Sequence, residues 1–175
     1  MDLVVLSLGS NLGDRAQHLR DAVASIRESV LVVSGVYETP PWGDADQPAY
    51  LNAVVLAGEE GRTVEEWLAV AQDLEARAHR ERDPARRFGP RTLDVDLIAA
   101  TTGDGEPIRC ETADLTLPHP RAHLRAFVLR PWLEIQPYAH LPGHGWVYDL
   151  IRMEPVAGDV LTMTAHPEIS LESEG

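Results

Sequence analysis

Leu93-Asp94-Val95-Asp96-Leu97 sets two carboxylates two residues apart inside an apolar run. Side chains alternate between the faces of a strand. Asp94 and Asp96 therefore share one face, roughly 7 Å apart, while Leu93, Val95 and Leu97 share the other. Two like charges so close call for positive charge beside them. Hard oxygen ligands in such small number suit Mg²⁺, which keeps waters and completes its shell with substrate phosphates. Two such ions could clamp a phosphoryl group in transfer. A solvent-facing strand whose outward residues are acidic has the same pattern.

The positive charge lies just upstream. All 15 basic residues are arginine, and Arg77, Arg80, Arg82, Arg86, Arg87 and Arg91 fall in one short stretch. Arginine offers planar, paired donors that match phosphate oxygens. Phe88-Gly89-Pro90 puts a ring and a tight turn between Arg87 and Arg91, which would aim both guanidinium groups. A surface salt-bridge patch is the plainer account of the same stretch. Polyphosphate carrying Mg²⁺ presents both signs of charge, and a site for it needs both.

Tyr50 and Asn52 share a face of a second strand. A flat heterocycle could stack on the phenol ring and pair with the amide, which both donates and accepts; a Tyr at a strand end and an Asn at a bend would look alike. Trp42, after two prolines, is a lid or a plug on the core. His119 lies between Pro118 and Pro120, either as a phosphate donor or as a neutral turn residue. His119 and His123 are four residues apart, as helical metal ligands can be, but no motif supplies the third ligand zinc needs.

Composition narrows the options further. The net charge of -13 repels nucleic acid and anionic membranes except where arginines gather. Repeated aromatic-basic interleaving, the mark of single-strand binding, is missing. Without lysine there is no P-loop and no Schiff base. One cysteine, Cys110, allows no intrachain disulfide, so a reducing cytoplasm is expected. The N-terminus has no signal-peptide pattern, and no apolar run reaches the roughly 20 residues of a membrane span.

The elements that must position these groups read as follows. Leu3 to Leu8 is a buried strand ended by Gly9. Asp14 caps a helix with Leu19, Val23, Ile26 and Val30 on one face. Leu31 to Glu38 is a strand, as is Tyr50 to Ala57. Thr63 to Glu66 is a capping box for a helix carrying Trp67, Leu68, Ala71, Leu74 and Ala78. Leu93 to Ala99 is a strand, and Arg121 to Leu129 a short helix. The βαββαβ order predicts a ferredoxin-like α+β sandwich with an antiparallel sheet and extra C-terminal elements. Residues 1–158 are expected to form the domain and residues 159–175 an acidic, loose tail.

Several of these segments together resemble the 6-hydroxymethyl-7,8-dihydropterin pyrophosphokinase family. They are Gly9-Ser10-Asn11-Leu12-Gly13-Asp14, Glu38-Thr39-Pro40-Pro41-Trp42-Gly43, Asp46-Gln47-Pro48-Ala49-Tyr50-Leu51-Asn52, Arg87-Phe88-Gly89-Pro90-Arg91-Thr92-Leu93-Asp94-Val95-Asp96, and Leu117-Pro118-His119-Pro120-Arg121 through Phe127. They occur in the family's order over about residues 3 to 135. Phe88 stands where the family often has Trp, and Ala126 where it often has Gly.

The resemblance implies transfer of pyrophosphate from ATP to the pterin's hydroxymethyl group, with release of AMP, as a step of folate biosynthesis. It implies two Mg²⁺ ions on Asp94 and Asp96, assisted in catalysis by Arg80, Arg82 and Arg91. Tyr50 and Phe127 would sandwich the pterin, with Asn52 and the backbone near Thr39, Pro40 and Trp42 reading its edge. Arg80, Arg82, Arg91, His119 and Arg125 would hold the triphosphate. Gln72, Glu75, Phe88 and Leu97 would complete the ATP site, adenine lying near Leu97. The expected working form is a cytoplasmic monomer, with other folate enzymes as possible partners and neither nucleic acid nor membrane. An ordinary γ-phosphoryl kinase, a ferredoxin-like module that binds a nucleotide without turnover, and a nucleic-acid binder are the rival readings.

Overall fold

The apolar runs become strands because both of their faces are covered. In the computed structural model, which describes residues 1–41, 46–78 and 92–172, β1 (Leu3–Ser10) is the central strand. It pairs antiparallel with β4 (Tyr50–Gly58) on one side and β5 (Asp94–Thr101) on the other. Two short strands, β2 (Val30–Val33) and β3 (Tyr37–Thr39), lie end to end along the far side of β4. Helices α1 (Arg15–Ser25) and α2 (Val64–Ala78) complete the βαββαβ core. The ferredoxin-like α+β expectation is met.

The local signals act as their chemistry dictates. The Asp14 carboxylate accepts from the Gln17 amide at 3.1 Å and caps α1. Thr63 Oγ1 accepts from the Glu66 amide at 3.2 Å and opens α2. The strand expected from Leu31 to Glu38 is broken at Ser34. There the Ser34 hydroxyl accepts from the Val54 amide at 2.9 Å, taking a place that a backbone carbonyl holds in a regular ladder.

The two faces of the sheet carry separate cores. One packs Leu6, Leu8, Leu51, Val55, Val95 and Leu97 against Leu19 and Val23 of α1 and Trp67, Ala71 and Leu74 of α2. The other packs Val5, Val54, Leu56 and Ile98 under α3 (Ala126–Ile135), through Val128, Leu129 and Trp132. Between β5 and α3 run the short strands β6 (Cys110–Glu111) and β7 (Thr116–Leu117), which pair with each other.

The segment expected as one short helix from Arg121 to Leu129 is divided. Ala122–Leu124 is a 3-10 turn, Arg125 is extended, and α3 then continues through Pro131. Burial of Trp132 and its neighbours sustains the helix despite the amide that Pro131 lacks.

Beyond α3 come the hairpin β8 (His140–Leu141) and β9 (Gly145–Trp146), α4 (Val147–Leu150), α5 (Val156–Val160) and β10 (Thr164–Ala165). The residues after Asp159, expected as a loose tail, lie on the fold as far as Glu172. β10 adds to the free edge of β3, and Met163 and Leu171 are buried. Apolar side chains in this segment outweigh its acidic composition. Among the described residues no helix is long and apolar enough to cross a membrane.

Candidate active site

The second face of the sheet is apolar where α3 covers it and polar where α3 stops. Register sets the floor of the opening. Gly9 of β1 stands between Asn52 of β4 and Asp94 of β5, and Ser7 stands between Val54 and Asp96. Thr39 on β3 faces Tyr50. Strands lie about 4.8 Å apart, so Asn52 and Asp94 are separated by about 10 Å across the glycine.

Around this floor is a cavity of about 290 Å³. It gathers Thr39, Pro40, Tyr50, Asn52 and Phe127 with Glu75, Asp94, Asp96 and Arg125, whose guanidinium lies 5.6 Å from the centre of the Phe127 ring. The alternation expected of β5 is realised: Asp94 and Asp96 are half-buried on the cavity face, while Val95 is buried in the α1/α2 core. Glu75 comes from the last turns of α2, which packs on the edge strand β5.

The polar groups are held from behind. The Asn52 amide nitrogen donates to Thr39 Oγ1 at 2.7 Å, with both residues buried. That bond fixes the amide, as assigned, with its oxygen toward Gly9: a methyl at position 9 would sit 2.8 Å from Asn52 Oδ1 and 3.3 Å from the Tyr50 ring. The extended backbone at Arg125 starts α3 and brings the guanidinium to within 3.6 Å of Asp96. The Arg125 side chain is 13% exposed. Burial lowers its pKa, with Arg121 acting in the same direction and Asp96 and Asp94 opposing.

His119 belongs to the same electrostatic unit, though it does not line the cavity. Burial lowers its pKa, Arg125 and Arg121 add to that, and Asp96 opposes. Nδ1 accepts from the Arg121 amide at 3.1 Å, so the proton of the neutral ring sits on Nε2. The ring is thereby set as a donor.

The other expected site residues are distributed as follows. Leu97 turns its side chain into the α1/α2 core, leaving only backbone for a ligand, and Gln72 is exposed on α2 outside the cavity. Trp42, Arg80, Arg82, Phe88 and Arg91 lie outside the described residues. Sequence reasoning passed over Ser7 and Gly9. The signal was available: they are the polar and the side-chain-free positions on one parity of an otherwise apolar strand.

The family model described as 7,8-dihydro-6-hydroxymethylpterin-pyrophosphokinase matches residues 5–137. The chain belongs to this family. A Mycobacterium leprae 2-amino-4-hydroxy-6-hydroxymethyldihydropteridine pyrophosphokinase is 48% identical over 174 residues, covering 94% of this chain and 90% of its own. The enzyme of that name from Bacillus subtilis is 38% identical over 138 residues, 77% of this chain and 78% of its own. The pyrophosphokinase fold is found again in a crystal structure of Plasmodium falciparum HPPK-DHPS with SDX-DHP, at a TM-score of 0.63 and 13% identity. That likeness covers 94% of this chain and 47% of the Plasmodium one, so the chain spans about half the length of that protein.

Proposed function

We propose that this chain transfers the diphosphoryl group of ATP to the hydroxymethyl group of 6-hydroxymethyl-7,8-dihydropterin, giving AMP and the pterin diphosphate, in folate biosynthesis. One observation carries the reading beyond family membership. A single cavity brings a ring-and-amide set, Tyr50, Phe127 and Asn52, together with groups of mixed charge, Asp94, Asp96 and Arg125, and Asn52 stands about 10 Å from Asp94 across its floor. A flat heterocycle with a short arm, meeting a metal-bound polyphosphate, needs both sets at once.

The pterin stacks on Tyr50 and Phe127, and Asn52, already oriented by Thr39, reads its edge. In this reading Arg125, which lines the cavity, holds phosphate oxygens, and His119, electrostatically linked to Arg125 and Asp96, offers its Nε2–H as a second donor. A neutral histidine donor and a buried arginine favour charge that develops on those oxygens during transfer. The described residues hold no group of three or more His, Cys, Asp or Glu suited to a metal. Two carboxylates with open positions fit Mg²⁺, which takes its remaining ligands from water and phosphate. Asp94 and Asp96 would hold it, as two ions in this proposal, and it would supply charge neutralisation to the polyphosphate. The hydroxymethyl oxygen then attacks the β-phosphorus in line as the bond from that phosphorus to the α,β-bridging oxygen breaks and AMP leaves, and positioning carries the rate.

Cys110 as the one cysteine suits a cytoplasmic protein. The test is incubation with ATP, Mg²⁺ and the hydroxymethyl-dihydropterin, followed by separation of the nucleotides. AMP in step with pterin diphosphate is expected. ADP in its place would make the chain an ordinary γ-phosphoryl kinase.

A further inference from the structure

The family model's match ends at residue 137, yet the chain continues as a strap around one edge of the sheet. α5 and Met163 lie in the α3 core, β10 pairs with β3, and Ile169 and Leu171 lie in the opposite core. The strap is tied at each stage. The Val160 carbonyl accepts from Arg130 at 3.5 Å, the His166 amide donates to the Val36 carbonyl at 2.8 Å, and the Ser170 carbonyl accepts from Arg20 at 3.1 Å.

Where it crosses the sheet edge, the strap reaches the wall of the active-site cavity. Asp159, Thr162 and Met163 line a second cavity of about 200 Å³ together with Pro40 and Phe127. Thr39, Pro40, Arg125 and Phe127 line both cavities, so the two spaces share a wall. Met163 is buried and belongs to the cluster against which Phe127 packs. On the neighbouring strand, Thr164 of β10 faces Glu38, and the next residue of β3 is Thr39, which holds Asn52. Glu38 itself accepts from Arg15 at 2.8 Å, and Arg15 donates to the Ala49 carbonyl beside Tyr50 at 2.9 Å.

We propose that this C-terminal strap is a positioning element for the pterin end of the site. Met163 backs the shared wall at Phe127 and Pro40, and β10 sets the position of β3, and with it Thr39. The proposal rests on the function given above. It assigns the strap to pterin affinity rather than to phosphate handling, because Met163 belongs to the cluster against which Phe127 packs, and Asp94 and Asp96 line only the first cavity; of the described groups assigned to phosphate, Arg125 alone borders the second.

The experiment is steady-state kinetics of Met163→Ala in the full chain, with each substrate varied in turn, alongside thermal melting. The expected result is a rise in KM for the pterin of about three- to tenfold, with kcat and KM for ATP within about twofold of the wild type. Met163→Leu, which refills the space, should restore the pterin KM. Met163→Val is the smaller truncation to use if the alanine variant does not fold. An unchanged pterin KM, or equal rises for both substrates, would overturn the assignment even if the melting temperature falls. A wild-type chain that makes no AMP from the two substrates would defeat the functional reading itself.

Discussion

Gly9 shows how one absent side chain shapes the site. It lies in the middle of the floor, between the Asn52 that would read the heterocycle and the Asp94 that would hold metal. Any larger residue there meets Asn52 Oδ1 at 2.8 Å, and that amide cannot turn away without breaking its bond to Thr39. Gly9→Ala should therefore raise the pterin KM by roughly tenfold or more while the protein stays folded; kinetics beside a melting curve check it. The acid pair was legible in the sequence because strand alternation alone places Asp94 and Asp96 together. The role of Gly9 was not, since it depends on which residues of two other strands stand opposite, and register is a property of the assembled sheet.

At the scale of elements, α3 is fastened to the sheet edge by one carboxylate. Glu134 accepts from the Gly35 amide at 2.6 Å and from the Tyr37 hydroxyl at 2.5 Å, bridging the break between β2 and β3. Burial, and then the hydrogen bond and negative charge of Glu134, push the Tyr37 pKa up to about 12 against an opposing effect of Arg130. A raised folded-state pKa means the native chain keeps a proton that the unfolded chain gives up near pH 10. The stabilisation is complete below pH 10 and is lost as pH rises toward 12, by about 2–3 kcal/mol. Urea unfolding of wild type and Tyr37→Phe should show their stability difference shrinking over that range. A difference that stays constant would separate Tyr37 from this linkage. The break at Ser34 was hidden in the sequence because a β-branched run reads as one strand. Only the Ser34 hydroxyl's bond to the Val54 amide reveals the interruption.

Over the whole molecule, two kinds of sequence carry the fold, and they differ in legibility. The βαββαβ core was readable because its strands and helices are long enough for their periodicity to show. The C-terminal strap was not. Its elements span two to five residues, too few for any period, and its acids suggested a loose tail. What fixes it is tertiary: a free edge on β3, and open apolar space on both faces of the sheet for Met163 and Leu171. The strap ties the two cores together, and the active site opens at the end of the sheet it encircles. Net charge likewise says little about the site. A chain of net charge -13 still brings Arg125 to the carboxylates, because the turn after β7 is tied to β5, where the His119 amide donates to the Ile98 carbonyl at 2.8 Å, and Arg125 follows at the start of α3.

The most direct test lies with Asp94 and Asp96. Each should be changed to alanine and AMP release measured with ATP, Mg²⁺ and the hydroxymethyl-dihydropterin, circular dichroism confirming the fold. Either change is predicted to cut turnover by about a hundredfold or more, since each removes half of the pair proposed to hold the metal. AMP release close to that of the wild type, from either folded variant, would contradict the account.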